Sequence, residues 1–130
     1  MKPSLQVSIT RRFSFDSAHS LPDHNGKCQY LHGHTYQLEV TVARKKLIEG
    51  GSSDGMVLDF GDLKPIVNDL IIEPLDHRHL NEVLPYRPTA ENMVVDFFER
   101  LSPIISDLGG DLIRIRLWET PDSYAEVSFS

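Results

Sequence analysis

Two stretches of two-residue alternation bracket two stretches of helical periodicity, and that order leaves few folds open to this chain. Tyr36, Leu38, Val40 and Val42 alternate with Thr35, Gln37, Glu39 and Thr41, the pattern of a half-buried strand over 34–45. Leu5, Val7, Ile9, Phe13 and Phe15 keep the same spacing over 5–15, with Arg11 and Arg12 as an irregularity. Strands are also predicted over 112–119 and 124–129, joined by a turn at Pro121 and Asp122. Between the pairs, Leu63, Ile66, Val67, Leu70 and Ile71 predict a helix over about 61–72. Met93, Val94, Phe97, Phe98 and Leu101 predict a second over 89–105, with Thr89 as its N-cap. Glycines at 50, 51 and 55 mark a turn, and Pro74, Pro85 and Pro88 mark 73–88 as a long connection.

The order strand, strand, helix, helix, strand, strand predicts an α+β domain over 1–130. Its sheet would be four-stranded and antiparallel, with both helices on one face. The edges of such a sheet must be covered, charged or paired with another subunit. With 130 residues, 40% of them hydrophobic and 25% charged, the chain can bury a core without staples. The net charge of −6 argues against nucleic acid as a partner, because phosphate backbones require a basic face. No run approaches the ~18 apolar residues of a membrane span. Cys28 is the only cysteine, and the N-terminal stretch has no apolar leader, so a soluble cytoplasmic protein is expected.

The histidines carry the chemistry. His32, Gly33 and His34 open the second strand, where side chains two apart share a face about 6.6 Å apart along it. If the first two strands form a hairpin across the 20–31 loop, His19 falls beside that pair. Three imidazoles with a vacant fourth position describe a catalytic zinc, whereas a structural zinc is closed by four ligands. A strand-end histidine serves as readily as a hydrogen-bonding group, and His24 in the loop is a rival ligand.

Several strings stand in a telling order. They are Phe13 to His19 (FSFDSAH), Cys28 to His34 (CQYLHGH), Leu75-Asp76-His77, Pro88 to Asn92 (PTAEN) and Trp118-Glu119-Thr120. Together they resemble the 6-pyruvoyl-tetrahydropterin synthase superfamily over nearly the whole chain. The resemblance implies the tunnelling fold, in which sheets from several subunits join into a barrel, with a hexamer built as a dimer of trimers. Only Gln29, Tyr30 and Leu31 separate Cys28 from His32. That spacing resembles the bacterial 6-carboxytetrahydropterin synthases of queuosine biosynthesis; the animal pyruvoyl type has a longer insertion, and a third branch places a glutamate in this loop.

The resemblance implies roles as well. His19, His32 and His34 would hold Zn2+, and Cys28 would transfer protons. Asp76 and His77 would relay them; adjacent residues on a strand do not readily face each other, so their partner is expected to be Cys28, from the same or another subunit. Asp76 has a second reading, as the cap of a short helix over 77–83. His79 reads as surface decoration. Glu119 would anchor a pterin ring by accepting its amino and ring N–H groups, with Thr89 and Glu91 as further contacts that helix capping explains nearly as well. Lys27, Arg78 and Arg87 are candidates for a triphosphate. The implied reaction converts 7,8-dihydroneopterin triphosphate to 6-carboxy-5,6,7,8-tetrahydropterin, releasing triphosphate and acetaldehyde. A pyruvoyl-type product and a non-catalytic pterin- or metal-binding protein are the rivals.

Overall fold

A computed structural model describes residues 5–129. Strands β1 (Val7–His19) and β2 (His32–Arg44) pair antiparallel without a break, from Val7 opposite Arg44 to His19 opposite His32. On the far side of β2 lies β4 (Asp111–Thr120), followed by β5 (Ser123–Ser128). A two-residue strand β3 (Arg78–His79) runs parallel to β1 beside Ser17 and Ala18. The sheet is therefore mixed and five-stranded, in the order β3-β1-β2-β4-β5, and not the expected four-stranded antiparallel sheet. The cause is local: the Ser17 hydroxyl donates to the Leu75 carbonyl and the His77 amide donates to the Asp16 carbonyl, which lays the following residues along the end of β1.

The helices fall close to their expected places. Helix α1 (Phe60–Val67) starts at Asp59, whose carboxylate accepts the Gly61 amide proton at 2.7 Å. Beyond Val67 the backbone widens into a π-turn over Asn68–Ile72 and ends in α2 (Glu73–Leu75), past the predicted stop at 72. The Arg100 guanidinium donates to the Leu70 carbonyl inside that turn. The long connection over 73–88 also holds α3 (Leu80–Val83), within the 77–83 offered as a short helix. Helix α4 (Ala90–Asp107) is capped by Thr89, as expected, and runs two residues beyond the predicted end.

Both helical runs bury their apolar stripes in one core against one face of the sheet. Leu63, Val67, Ile71, Met93, Phe97, Leu101 and Ile105 meet Phe15, Tyr36, Leu38, Val40, Ile115 and Leu117, all essentially inaccessible. Truncating Phe97 to Ala would cost about 3–5 kcal/mol through lost transfer energy and an unfilled cavity. The strand residues on the opposite face, such as Thr10, Arg12, Ser14 and Asp16, are exposed. Gly50, Gly51 and Gly55 all have left-handed φ angles, which fixes the expected turn there.

Candidate functional site

Strand alternation carries the buried face of the sheet onward into a polar cluster at one end. Phe15, Ser17 and His19 share that face of β1, as His32, His34, Tyr36 and Leu38 share it on β2. The hairpin thus brings the three histidines together, with ring centroids 4.6 Å (His19–His32), 5.0 Å (His19–His34) and 4.8 Å (His32–His34) apart. Tyr36 floors the cluster, its hydroxyl 3.4 Å from His19 Nδ1 and its ring stacked on Phe15.

The outer nitrogens are held in a way that fits a metal. His19 Nδ1 lies 2.8 Å from the Pro88 carbonyl, and His32 Nδ1 lies 2.8 Å from the Tyr30 carbonyl. A carbonyl only accepts, so it fixes the proton on Nδ1 and leaves the Nε2 lone pair free. The Nε2 atoms of His19, His32 and His34 are all buried without a hydrogen-bond partner. Unpartnered buried polar atoms are costly, and three converging lone pairs are what a metal ion would satisfy.

Glu119 completes the group, all four donor atoms lying within 4.8 Å of one another. It lies at the end of β4, two residues after the buried Leu117, and so shares the core face of the sheet, next to a slip of the β4–β5 register between Trp118 and Thr120. Its Oε1 is 3.0 Å from His34 Nε2 and 3.4 Å from His19 Nε2, contacts without hydrogen-bond alignment. Burial works against charge on His19, but the Glu119 carboxylate and the Pro88 carbonyl outweigh it and raise the His19 pKa. Burial lowers that of His34, against the pull of Glu119 and with the help of its two histidine neighbours. The contact with His19 draws the Glu119 carboxyl below its ordinary range although burial opposes this.

Beside the cluster lies a cavity of about 630 Å3, with Glu119, Trp118, Gln37 and Arg12 in its walls. The Trp118 indole donates to Glu39 at 2.6 Å and packs on Tyr124 at 4.5 Å, which fixes the ring plane.

A second group forms at the β1–β3 junction. His77 Nδ1 lies 3.0 Å from Asp76 Oδ2, so the expectation that these neighbours do not face each other is corrected. Asp76 is extended and His77 is left-handed at φ 57°, which folds the imidazole back onto the preceding carboxylate. The Asp16 amide donates to Asp76 Oδ1 at 2.9 Å, so Asp76 is tied to β1 and does not cap a helix over 77–83. That amide is the main reason the Asp76 carboxyl lies below its ordinary range.

The remaining predicted residues are dispersed. Cys28 is half-buried in a short turn, Lys27–Gln29, and joins neither group. His24 accepts the Gly26 amide proton and stands apart from the histidine cluster. The Thr89 hydroxyl accepts the Asn92 amide proton. Glu91 shares a cavity of about 340 Å3 with Glu119 and Tyr124. Arg78 lines a third cavity, of about 530 Å3, with His77 and His79, whereas the exposed Lys27 and Arg87 line none of the three. His79, read as surface decoration, is half-buried there, with Nδ1 3.3 Å from Glu82. Sequence reasoning missed Glu119 as a neighbour of the histidines and the two carbonyls that orient them. The Pro88 contact leaves no sequence signal, since 69 residues separate it from His19.

Fold and site together define a small α+β protein with a three-histidine, one-carboxylate cluster at the end of its sheet. The family model for 6-pyruvoyl tetrahydropterin synthase matches residues 8–129, and the chain belongs to that family. It is 39% identical to the 6-carboxy-5,6,7,8-tetrahydropterin synthase of Haemophilus influenzae, over 91% of this chain and 96% of that one. It is also 39% identical to the dihydroneopterin monophosphate aldolase of Pyrococcus furiosus, over 96% of this chain and 100% of that one. The structure of Caenorhabditis elegans 6-pyruvoyl tetrahydropterin synthase superposes with a TM-score of 0.79 at 27% identity, covering 100% of both chains.

Proposed function

We propose that this chain is a 6-carboxy-5,6,7,8-tetrahydropterin synthase that converts 7,8-dihydroneopterin triphosphate, with water, to the 6-carboxy product, triphosphate and acetaldehyde. The observation that carries this reading is the convergence of three unpartnered imidazole nitrogens beside Glu119 and a cavity of about 630 Å3. The 39% identity to the Haemophilus influenzae synthase supports the same chemistry, and the short Cys28–His32 spacing, which resembles the synthases of queuosine biosynthesis, supports a place in the 7-deazapurine route.

His19, His32 and His34 would hold Zn2+, a Lewis acid that when bound stabilises negative charge developing on substrate oxygens. The chain's own groups do the rest. Glu119, ionised below the usual carboxylate range, accepts the amino and ring N–H groups of the pterin and fixes the ring against the wall that holds Trp118. Asp76 orients the His77 imidazole through their 3.0 Å contact, which poises it to take up and return protons. Cys28 is the second proton carrier. Because it lies outside both side-chain groups, a neighbouring subunit is its natural route to the Asp76–His77 pair. This fits a homo-oligomer built by pairing sheet edges, and a reduced thiol fits a cytoplasmic enzyme.

A second reading, an aldolase acting on dihydroneopterin monophosphate, draws on the Pyrococcus furiosus relative. Offering the zinc-loaded protein the triphosphate and the monophosphate in parallel separates the two. Faster turnover of the monophosphate sinks the synthase assignment. Cys28→Ala tests catalysis itself: turnover should vanish with zinc retained, and an unchanged rate would remove Cys28 from the reaction.

A further inference from the structure

Two of the cavities share a wall. Gly33, His34 and Thr35 line both the cavity of about 630 Å3 and that of about 530 Å3. Their common wall is therefore the start of β2, the segment that carries His34 into the histidine cluster.

The two sides offer different chemistry. The larger cavity presents the Glu119 carboxylate and the Trp118 indole, an acceptor and a flat apolar surface suited to a planar heterocycle with N–H groups. The smaller presents the Arg78 guanidinium and the imidazoles of His77 and His79. His79 Nε2 there is buried and without a partner. Of these, the guanidinium is the donor for phosphate oxygens.

Nothing in the fold demands glycine at the junction. Gly33 pairs with Ala18 in regular strand and is not among the residues with positive φ. A Cβ built on it would meet only the Ser17 carbonyl, at 3.8 Å, an ordinary contact. The missing side chain thus serves neither backbone conformation nor packing. It keeps the boundary between the two cavities free of bulk.

We propose that Gly33 is a specificity-determining passage for the phosphorylated arm of the ligand. Resting on the pterin reading above, the ring occupies the larger cavity, the arm crosses Gly33 beside His34, and the phosphates reach Arg78. A side chain at residue 33 would leave the ring site intact and obstruct the arm.

The test compares neopterin with neopterin triphosphate as ligands of the zinc-loaded, assembled protein, measured by titration. The natural protein should bind the triphosphate more tightly. Gly33→Val should erase at least about tenfold of that preference while zinc content and neopterin affinity stay unchanged. Arg78→Ala should lose it similarly without altering β2, and this variant together with Gly33→Ala decides the matter if Gly33→Val does not fold. Equal weakening of both ligands, retention of the full preference, or absence of any preference in the natural protein overturns the passage. A protein that shows these ratios but makes no product from dihydroneopterin triphosphate keeps the passage and loses the synthase assignment.

Discussion

His77 Nδ1 stands 3.0 Å from Asp76 Oδ2 although the two residues are consecutive, because His77 holds a left-handed backbone at φ 57°. A non-glycine residue there carries strain of about 1–2 kcal/mol. Replacement by glycine relieves it. His77→Gly should therefore match or exceed the natural protein in thermal stability, by up to ~1 kcal/mol, while losing turnover. Calorimetry beside a rate assay checks both, and an active His77→Gly protein would remove the imidazole from the reaction.

Ser17 fastens the chain immediately before that pair. Its buried hydroxyl donates to the Leu75 carbonyl, one residue from Asp76. Ser17→Ala should cost about 1–3 kcal/mol by leaving that carbonyl unpartnered. Because the Asp76–His77 pair hangs from this anchor, kcat should fall with KM and zinc content unchanged. A stability loss with kcat intact would restrict Ser17 to the fold.

Zinc retention should depend on pH in a way that reveals what Glu119 does. Protons compete with the metal for Nε2, and the raised pKa of His19 means competition begins above the ordinary imidazole value of 6.5. Glu119→Gln removes the larger of the two contacts that raise that pKa, leaving burial, which lowers it, opposed only by the Pro88 carbonyl. The pH at which half the zinc is released should then move down. An upward move would show that the carboxylate's attraction for the metal outweighs its effect on His19.

His32→Ala should weaken zinc binding beyond the roughly 10–100-fold typical of losing a supporting group, because it removes a ligand. His24→Ala should leave the affinity unchanged, since His24 is engaged with the Gly26 amide. Competition against a chromophoric chelator measures both, and equal losses would undo the ligand assignment.

What the sequence revealed follows from the range of the forces involved. Alternation along 34–45 and helical spacing over 89–105 are local and stay legible, as does the hairpin that brings His19 to His32. The parallel strand Arg78–His79 was invisible because two residues make no pattern and its cause is a pair of contacts across some 60 residues of sequence. The Asp76–His77 contact departs from strand geometry because His77 is left-handed, a backbone state its sequence neighbours do not signal. The place of Glu119 beside the histidines depends on the pairing of β4 with β2, which sets Trp118 opposite Gln37 and which the string Trp118-Glu119-Thr120 does not announce.

Product identification tests the reaction most directly. Zinc-loaded protein incubated with 7,8-dihydroneopterin triphosphate should release triphosphate and acetaldehyde in equal amounts, with 6-carboxy-5,6,7,8-tetrahydropterin as the only pterin product. Formation of 6-pyruvoyl-tetrahydropterin without acetaldehyde would contradict it.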